Sequence, residues 1–240
     1  MLVEVCANSL QSALNAQSAG ADRIELCSEL AVGGITPSYG LLKRIREHIS
    51  IPVHVLVRPR SGDFTYSDEE FEIMKADIAL CIELGFDGIV SGVLHKDFTL
   101  DKERTKVLIA LSESLKFTFH RAFDWLENPM ETLLQLESMG VDCILTSGQQ
   151  NSAVDGIMLL TELYRKASKC CIMPGGGVRP DNIHIFRQLG FSAVHLSGTK
   201  FTETLPERPK VSMNSPSFLK DNEIALSDTD TIRKIVNAVK

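Results

Sequence analysis

The chain has 240 residues, 44% of them hydrophobic and 23% charged, which is enough for one sizeable α/β core. A formal net charge of −6 with no Lys/Arg run excludes a general nucleic-acid surface, and no apolar stretch reaches the roughly 18 residues of a membrane span. The start, MLVEVCANS, holds Glu4 inside its apolar run with no basic segment before it, so it does not read as a signal peptide; the six cysteines, without any C-x-x-C spacing, are expected reduced in a cytoplasmic protein.

Strand-like runs follow one another at about 2–6, 23–27, 53–58, 88–91, 117–121, 143–147, 171–174 and 193–197, with amphipathic segments between them. Helix starts are signalled by Thr36 before Pro37, by Ser67 with Glu70 as a capping box, and by Asn128 with Pro129 and Glu131. Helix ends are signalled by Gly20, Gly85, Gly140 and Gly190, each followed shortly by the next strand. Those four glycines open one repeated pattern, GADRIELC, GFDGIVSG, GVDCILTSG and GFSAVHLSG, with a period of two βα units. Strict alternation of this kind predicts a single (β/α)8 TIM barrel over residues 1–240. An open doubly wound sheet is the alternative, but its G-x-G-x-x-G turn after the first strand is absent, since that strand runs into Ala7, Asn8 and Ser9. After the last strand, residues 199–227 read as a long polar loop with Pro206, Pro209 and Pro216, before a final helix starting near Asp228.

In a barrel the helix-facing side of each strand is the more apolar one, which assigns the faces. Glu4 and Cys6, Arg23, Glu25 and Cys27, His54, Leu56 and Arg58, Thr118 and His120, Thr146, Met173, and His195 and Ser197 are expected on the axis side. Burying so many ionisable groups is costly unless they pair or bind something. Glu4, Arg23 and Glu25 are expected to form an ion-pair network, whereas residues at the C-terminal strand ends lie where barrel active sites sit. The stretch KFTFHRAFD, 116–124, is a strand that ends in such a cluster. As catalytic residues we single out His120 as general acid or base, Glu25 as its counterpart, Arg58 to hold an anion, and Asp124. The turns PGGG and SGT expose backbone amides at strands seven and eight, so Gly175, Gly176, Gly177, Gly198 and Thr199 form a candidate phosphate cradle, with Arg58 or Arg121 reaching it from the side.

Six motifs resemble one family: VEVCANS at 3–9, GADRIELCS at 20–28, RPRSGDFTYS at 58–67, FHRAFD at 119–124, LTSG at 145–148 and PGGGV at 174–178. The chain resembles the CutC copper homeostasis proteins from Leu2 to about Thr199. That resemblance implies a (β/α)8 barrel, a cytoplasmic homo-oligomer (dimer or tetramer), and binding of Cu(I) through Cys6 and Cys27. Thiolates suit soft Cu(I), and the two cysteines fall at one level of adjacent strands about 4.8 Å apart. His120 and Met173 are the axis-facing candidates for a third ligand, while Cys81, Cys143, Cys170 and Cys171 read as structural. Two functions therefore stand side by side. One is a copper homeostasis protein; the other is an enzyme of unassigned reaction acting on a small anionic or phosphorylated metabolite, which would account for the arginines and glycine turns. A scaffold acting through its surface has only the 199–227 stretch in its favour.

Overall fold

Eight short parallel strands alternate with helices around one axis in the computed structural model, which describes residues 1–113, 115–213 and 220–240. The strands are β1 (Leu2–Ala7), β2 (Arg23–Leu26), β3 (Val53–Leu56), β4 (Gly88–Ser91), β5 (Lys116–Phe119), β6 (Cys143–Thr146), β7 (Cys171–Pro174) and β8 (Ala193–Leu196). The helices between them are α1 (Leu10–Ser18), α2 (Tyr39–His48), α3 (Asp68–Glu83), α4 (Lys102–Leu111), α5 (Pro129–Met139), α6 (Ile157–Lys166) and α7 (Ile183–Gln188). Hydrogen bonding runs in the order β7-β6-β5-β4-β3-β2-β1-β8, and a parallel bridge from Gly175 to His195 brings the two ends of that order together. A nearly closed barrel replaces the open-sheet alternative.

Local sequence explains the element ends. Ser67 Oγ accepts from the Glu70 amide at 3.1 Å and Glu70 Oε2 accepts from the Ser67 amide at 2.8 Å, the reciprocal capping box at the start of α3. The start of α2 lies two residues later than Thr36 suggests: Ser38 is the cap, and its Oγ accepts from the Leu41 amide. At the end of α5, Gly140 takes φ +89°, a left-handed conformation that a side chain would strain, and the other three repeat glycines share its sign.

Outward strand residues such as Ile24, Leu26, Phe117 and Phe119 are buried against the helices, each contributing about 1.5–3 kcal/mol of hydrophobic stabilisation. One face assignment changes. Leu145 packs inside with Met173 while Ile144 joins the outer core, so Thr146 is not on the axis side; its hydroxyl instead donates to Asp124.

The 199–227 stretch is not wholly loop. Its ends form an antiparallel pair, β9 (Thr199–Glu203) and β10 (Glu223–Ser227), with Thr199 opposite Ser227 and Phe201 opposite Ala225. Ser12 Oγ accepts from the Ser227 amide and Asn15 Nδ2 donates to the Ser227 carbonyl, which ties this hairpin to α1 beside the barrel mouth. Pro216 lies outside the described residues. The last helix, α8 (Thr229–Val239), starts behind Asp228, whose carboxylate accepts from the Thr231 amide.

Candidate functional site

Parallel pairing sets Glu4 of β1 beside both Arg23 of β2 and His195 of β8, and these three make the charged layer of the interior. Glu4 is wholly buried; it accepts from Arg23 Nε and, at 2.8 Å, from His195 Nδ1. Burial alone would raise its pKa, but the His195 hydrogen bond and the Arg23 charge outweigh it and bring the carboxyl down to about 2. Met173, expected as a spare metal ligand, has its sulfur 3.7 Å from Arg23 Nη2. Glu25 is not part of the Arg23 pair; its Oε2 lies 3.6 Å from His195 Nδ1.

One step nearer the mouth, the same strands bring the thiols together. Cys6 Sγ is 3.4 Å from Cys27 Sγ and 3.9 Å from Glu25 Oε1. Leu56 and Val90 complete an apolar cluster around the two sulfurs, with Leu30 packed over it. Gly34 lies against Cys27 with φ +86°, where an added Cβ would come within 2.7 Å of Leu56 Cδ2 and 3.3 Å of Cys27 Cβ; only glycine lets the chain pass this close to the thiol. Contact with Cys27, then burial, pushes the Cys6 thiol well above its usual pKa, and burial raises Glu25 to about 7. Cys6, Glu25 and His195 offer three ligand atoms that all lie within 4.8 Å of one another. These, not His120 or Met173, are the groups beside the sulfurs. His195 had been placed on the axis side from the sequence but not joined to Cys6; the signal was barrel closure, which makes the last strand the neighbour of the first.

Above them opens a cavity of about 1090 Å³ lined by Cys6, Glu25, His195, Arg58, His120, Arg121, the segment Gly176–Asp181 and the segment Leu196–Thr199, with Phe201 and Ala225 from the hairpin. Arg179, Phe201 and Ala225 carried no signal in the sequence reading. Arg58 contacts the cavity, but its guanidinium donates to the carbonyls of Val32 and Gly34, at 2.8 Å each, and to that of Gly62 at 2.8 Å, and it stacks on Phe64. It therefore clasps the loops after β2 and β3.

His120 follows directly on β5, and its Nδ1 accepts from the Ala122 amide at 3.2 Å. Burial, and then the Arg58 charge, lower its pKa to about 3. The ring is thus neutral at ordinary pH with its proton on Nε2, which is buried without a hydrogen-bond partner. Asp124 is committed elsewhere: its carboxylate accepts from Thr146 Oγ1, from the Ser147 amide and hydroxyl, both at 3.0 Å, and from the Gln149 amide at 3.2 Å, and it pairs with Arg121.

Of the proposed cradle, Gly176, Gly177, Gly198 and Thr199 line the cavity. Gly175 does not, because its amide donates to the Thr146 carbonyl and continues the β6–β7 ladder. Among the described residues, no acceptor is bonded to the amides of Gly176, Gly177 or Val178. No helix among them is long and apolar enough to cross a membrane.

The CutC family model matches residues 1–200. A protein CutC from Edwardsiella ictaluri (strain 93-146) is 50% identical over 197 residues, which cover 82% of this chain and 78% of that protein. One from Erwinia tasmaniensis is 43% identical over 239 residues, covering 99% and 95%. Among solved structures, a CutC from Streptococcus agalactiae, described provisionally as a copper homeostasis protein, superposes with a TM-score of 0.78 at 34% identity, covering 82% of this chain and 98% of that one. A protein from Burkholderia cenocepacia J2315 described provisionally as a phosphonomutase, at 17% identity and TM-score 0.60 over 81% of this chain and 86% of its own, shares the fold alone.

Proposed function

The chain belongs to the CutC family, and from that premise we propose that it is a cytoplasmic copper homeostasis protein that binds Cu(I) at the C-terminal mouth of its barrel, through Cys6 and Cys27. The observation that carries this reading is the 3.4 Å approach of the two sulfurs within an apolar cluster. Two soft donors with little else to bind suit Cu(I) better than a hard cation. Cu(I) is the cargo here. Since the thiolate is the ligand, each sulfur releases a proton on binding. Affinity therefore weakens as pH falls. The test is competition against a calibrated Cu(I) chelator under anaerobic, reducing conditions. Cys6→Ser and Cys27→Ser are each expected to lose at least about tenfold in affinity, a difference of about 1.4 kcal/mol. Unchanged affinity in the folded double variant would put any copper elsewhere.

A second reading, an enzyme acting on a small anionic or phosphorylated metabolite, is favoured by the cavity itself. A two-sulfur carrier has no need for about 1090 Å³ lined by Arg121, Arg179 and His120. The unbonded amides of Gly176, Gly177 and Val178 are anion donors. Titration with inorganic phosphate and simple sugar phosphates, followed by amide NMR shifts at Gly176–Val178 and Gly198–Thr199, checks it; no response at millimolar ligand removes its support.

A further inference from the structure

We propose that Cys6, Glu25 and His195 form a second kind of metal site at the same mouth, a three-ligand centre for a divalent ion of the zinc class with its open position facing the cavity. It takes Cys6 from the Cu(I) reading but neither requires Cys27 nor depends on copper. Three observations carry it. The first is the donor set: one sulfur, one carboxylate oxygen and one imidazole nitrogen lie within 4.8 Å of one another. A mixed S/O/N set suits zinc-class divalent ions, whereas Cu(I) selects the two sulfurs. A tetrahedral zinc with bonds of about 2.0–2.3 Å holds its ligand atoms about 3.5 Å apart. Cys6 Sγ and Glu25 Oε1 are already 3.9 Å apart, so a small inward movement of side chains completes the geometry.

The second observation is how the imidazole is held. His195 Nδ1 is bound to Glu4 Oε1 at 2.8 Å, and Glu4 is fixed in turn by Arg23. A ligand histidine whose other ring nitrogen is bonded to a carboxylate is the usual second layer of a zinc site, fixing tautomer and ring direction. Here Nε2 is the nitrogen left without a hydrogen bond among the described residues, while Nδ1 is the one that lies 3.6 Å from Glu25 Oε2. Barrel interiors are ordinarily filled with branched apolar side chains. A layer of Glu4, Arg23 and His195 beneath the thiol level instead supplies a rigid base for one nitrogen.

The third is an orphan. Glu25 Oε2 is buried and makes no hydrogen bond, His195 Nδ1 standing 3.6 Å away, and a buried carboxylate oxygen without a hydrogen bond has room for a closer partner. A cation is the partner a carboxylate oxygen favours most. All three residues line the large cavity. Three protein ligands with an open position are the pattern of catalytic rather than structural zinc, in which the ion polarises a carbonyl or activates a water.

The test sets two metals against four proteins. Metal-free wild type, Cys6→Ser, Cys27→Ser and Glu25→Gln are titrated with Zn²⁺ and, separately, with Cu(I) in competition with chelators, with circular dichroism confirming the fold. Wild type is expected to bind one Zn²⁺ tightly. Glu25→Gln should weaken Zn²⁺ at least about tenfold and leave Cu(I) within about threefold. Cys27→Ser should do the reverse, and Cys6→Ser should weaken both. Zn²⁺ affinity unmoved by Glu25→Gln overturns the proposal while leaving the Cu(I) reading intact; Cu(I) affinity unmoved by Cys27→Ser does the opposite. Should a variant fail to fold, Co²⁺ added to wild type decides: intense tetrahedral d–d bands with thiolate-to-metal charge transfer support the site, and weak octahedral bands without charge transfer overturn it.

Discussion

Two rims of one barrel mouth hold two carboxylates in opposite conditions. On the β5–β6 side, Asp124 accepts from Thr146, from both the amide and hydroxyl of Ser147, and from the Gln149 amide, and it pairs with Arg121 at 2.7 Å. On the β8–β1–β2 side, Glu25 has the Cys6 thiol at 3.9 Å on one oxygen and, on the other, no hydrogen bond, with His195 Nδ1 3.6 Å away. Glu25 lies near the end of β2 and Asp124 in the helical turn after β5, each beside an arginine or histidine, and composition does not tell them apart. The difference lies in donor count. A carboxylate saturated by donors is part of the architecture, because every donor would be left unpaired without it. One that is buried with an oxygen unpaired is under tension that a proton or a cation relieves.

The largest expected effect breaks the closed rim. Asp124→Ala leaves two amides, the Thr146 hydroxyl and the Arg121 Nε without their acceptor, while the Ser147 hydroxyl keeps the Gln150 carbonyl at 2.6 Å, and we expect a loss of about 3 kcal/mol in unfolding free energy. Urea denaturation measures it. Metal affinity of the protein that remains folded should not move. A loss below about 1 kcal/mol would mean that water replaces Asp124 freely and that this rim is not closed.

The open rim should answer with the opposite sign. Burial raises the Glu25 pKa from its ordinary 4.5 to about 7, with His195 and Arg23 opposing and Glu4 adding to it. The folded, metal-free protein thus keeps a proton that the unfolded chain has released, so stability falls as pH rises from about 4.5 through about 7. Glu25→Gln removes that penalty. It should be neutral near pH 4 and stabilise the metal-free protein by roughly 1–2 kcal/mol at pH 8. Thermal melts of both proteins across that range decide the sign, and destabilisation at pH 8 would place Glu25 with Asp124 as an architectural group.

How much of this was readable before folding depends on whether the partners were close in sequence. Strand positions and the axis-side placement of Cys6, Cys27, Glu25 and His195 follow from runs whose other face is uniformly Val, Ile or Leu. Thr146 was misplaced because β6 reads Cys-Ile-Leu-Thr, where Ile144 and Leu145 are equally apolar and no alternation shows. The closed state of Asp124 was hidden since its donors lie 22 to 25 residues later and meet it only when β5 and β6 pair. Pairing of β9 with β10 was missed for a different reason. Lys200, Phe201, Thr202 and Glu203 are all exposed, so they carry no buried face for a pattern to reveal.

His120, directly after β5, joins one closed atom and one open atom in a single ring, and its effect is the smallest and the most specific. Its Nδ1 is closed by the Ala122 amide, while its Nε2 is buried and open. With the pKa pressed down to about 3 by burial and by Arg58, the ring at pH 7 is a neutral donor, not the proton acceptor that its position at a strand end suggests. Nitrogen NMR should show an unprotonated Nδ1 and a protonated Nε2, with no titration between pH 8 and 5. Since its folded pKa lies below the ordinary 6.5, its contribution to stability is complete above that pH and is lost as pH falls toward about 3. His120→Asn keeps an acceptor for the Ala122 amide and removes the titration. It should cost about 1 kcal/mol at pH 7 through lost packing, and that deficit should shrink as the solution is acidified. A wild-type ring that titrates with a midpoint near its ordinary value would mean that solvent reaches Nε2 freely, returning His120 to the role of general acid or base and opening the β5 rim to proton transfer.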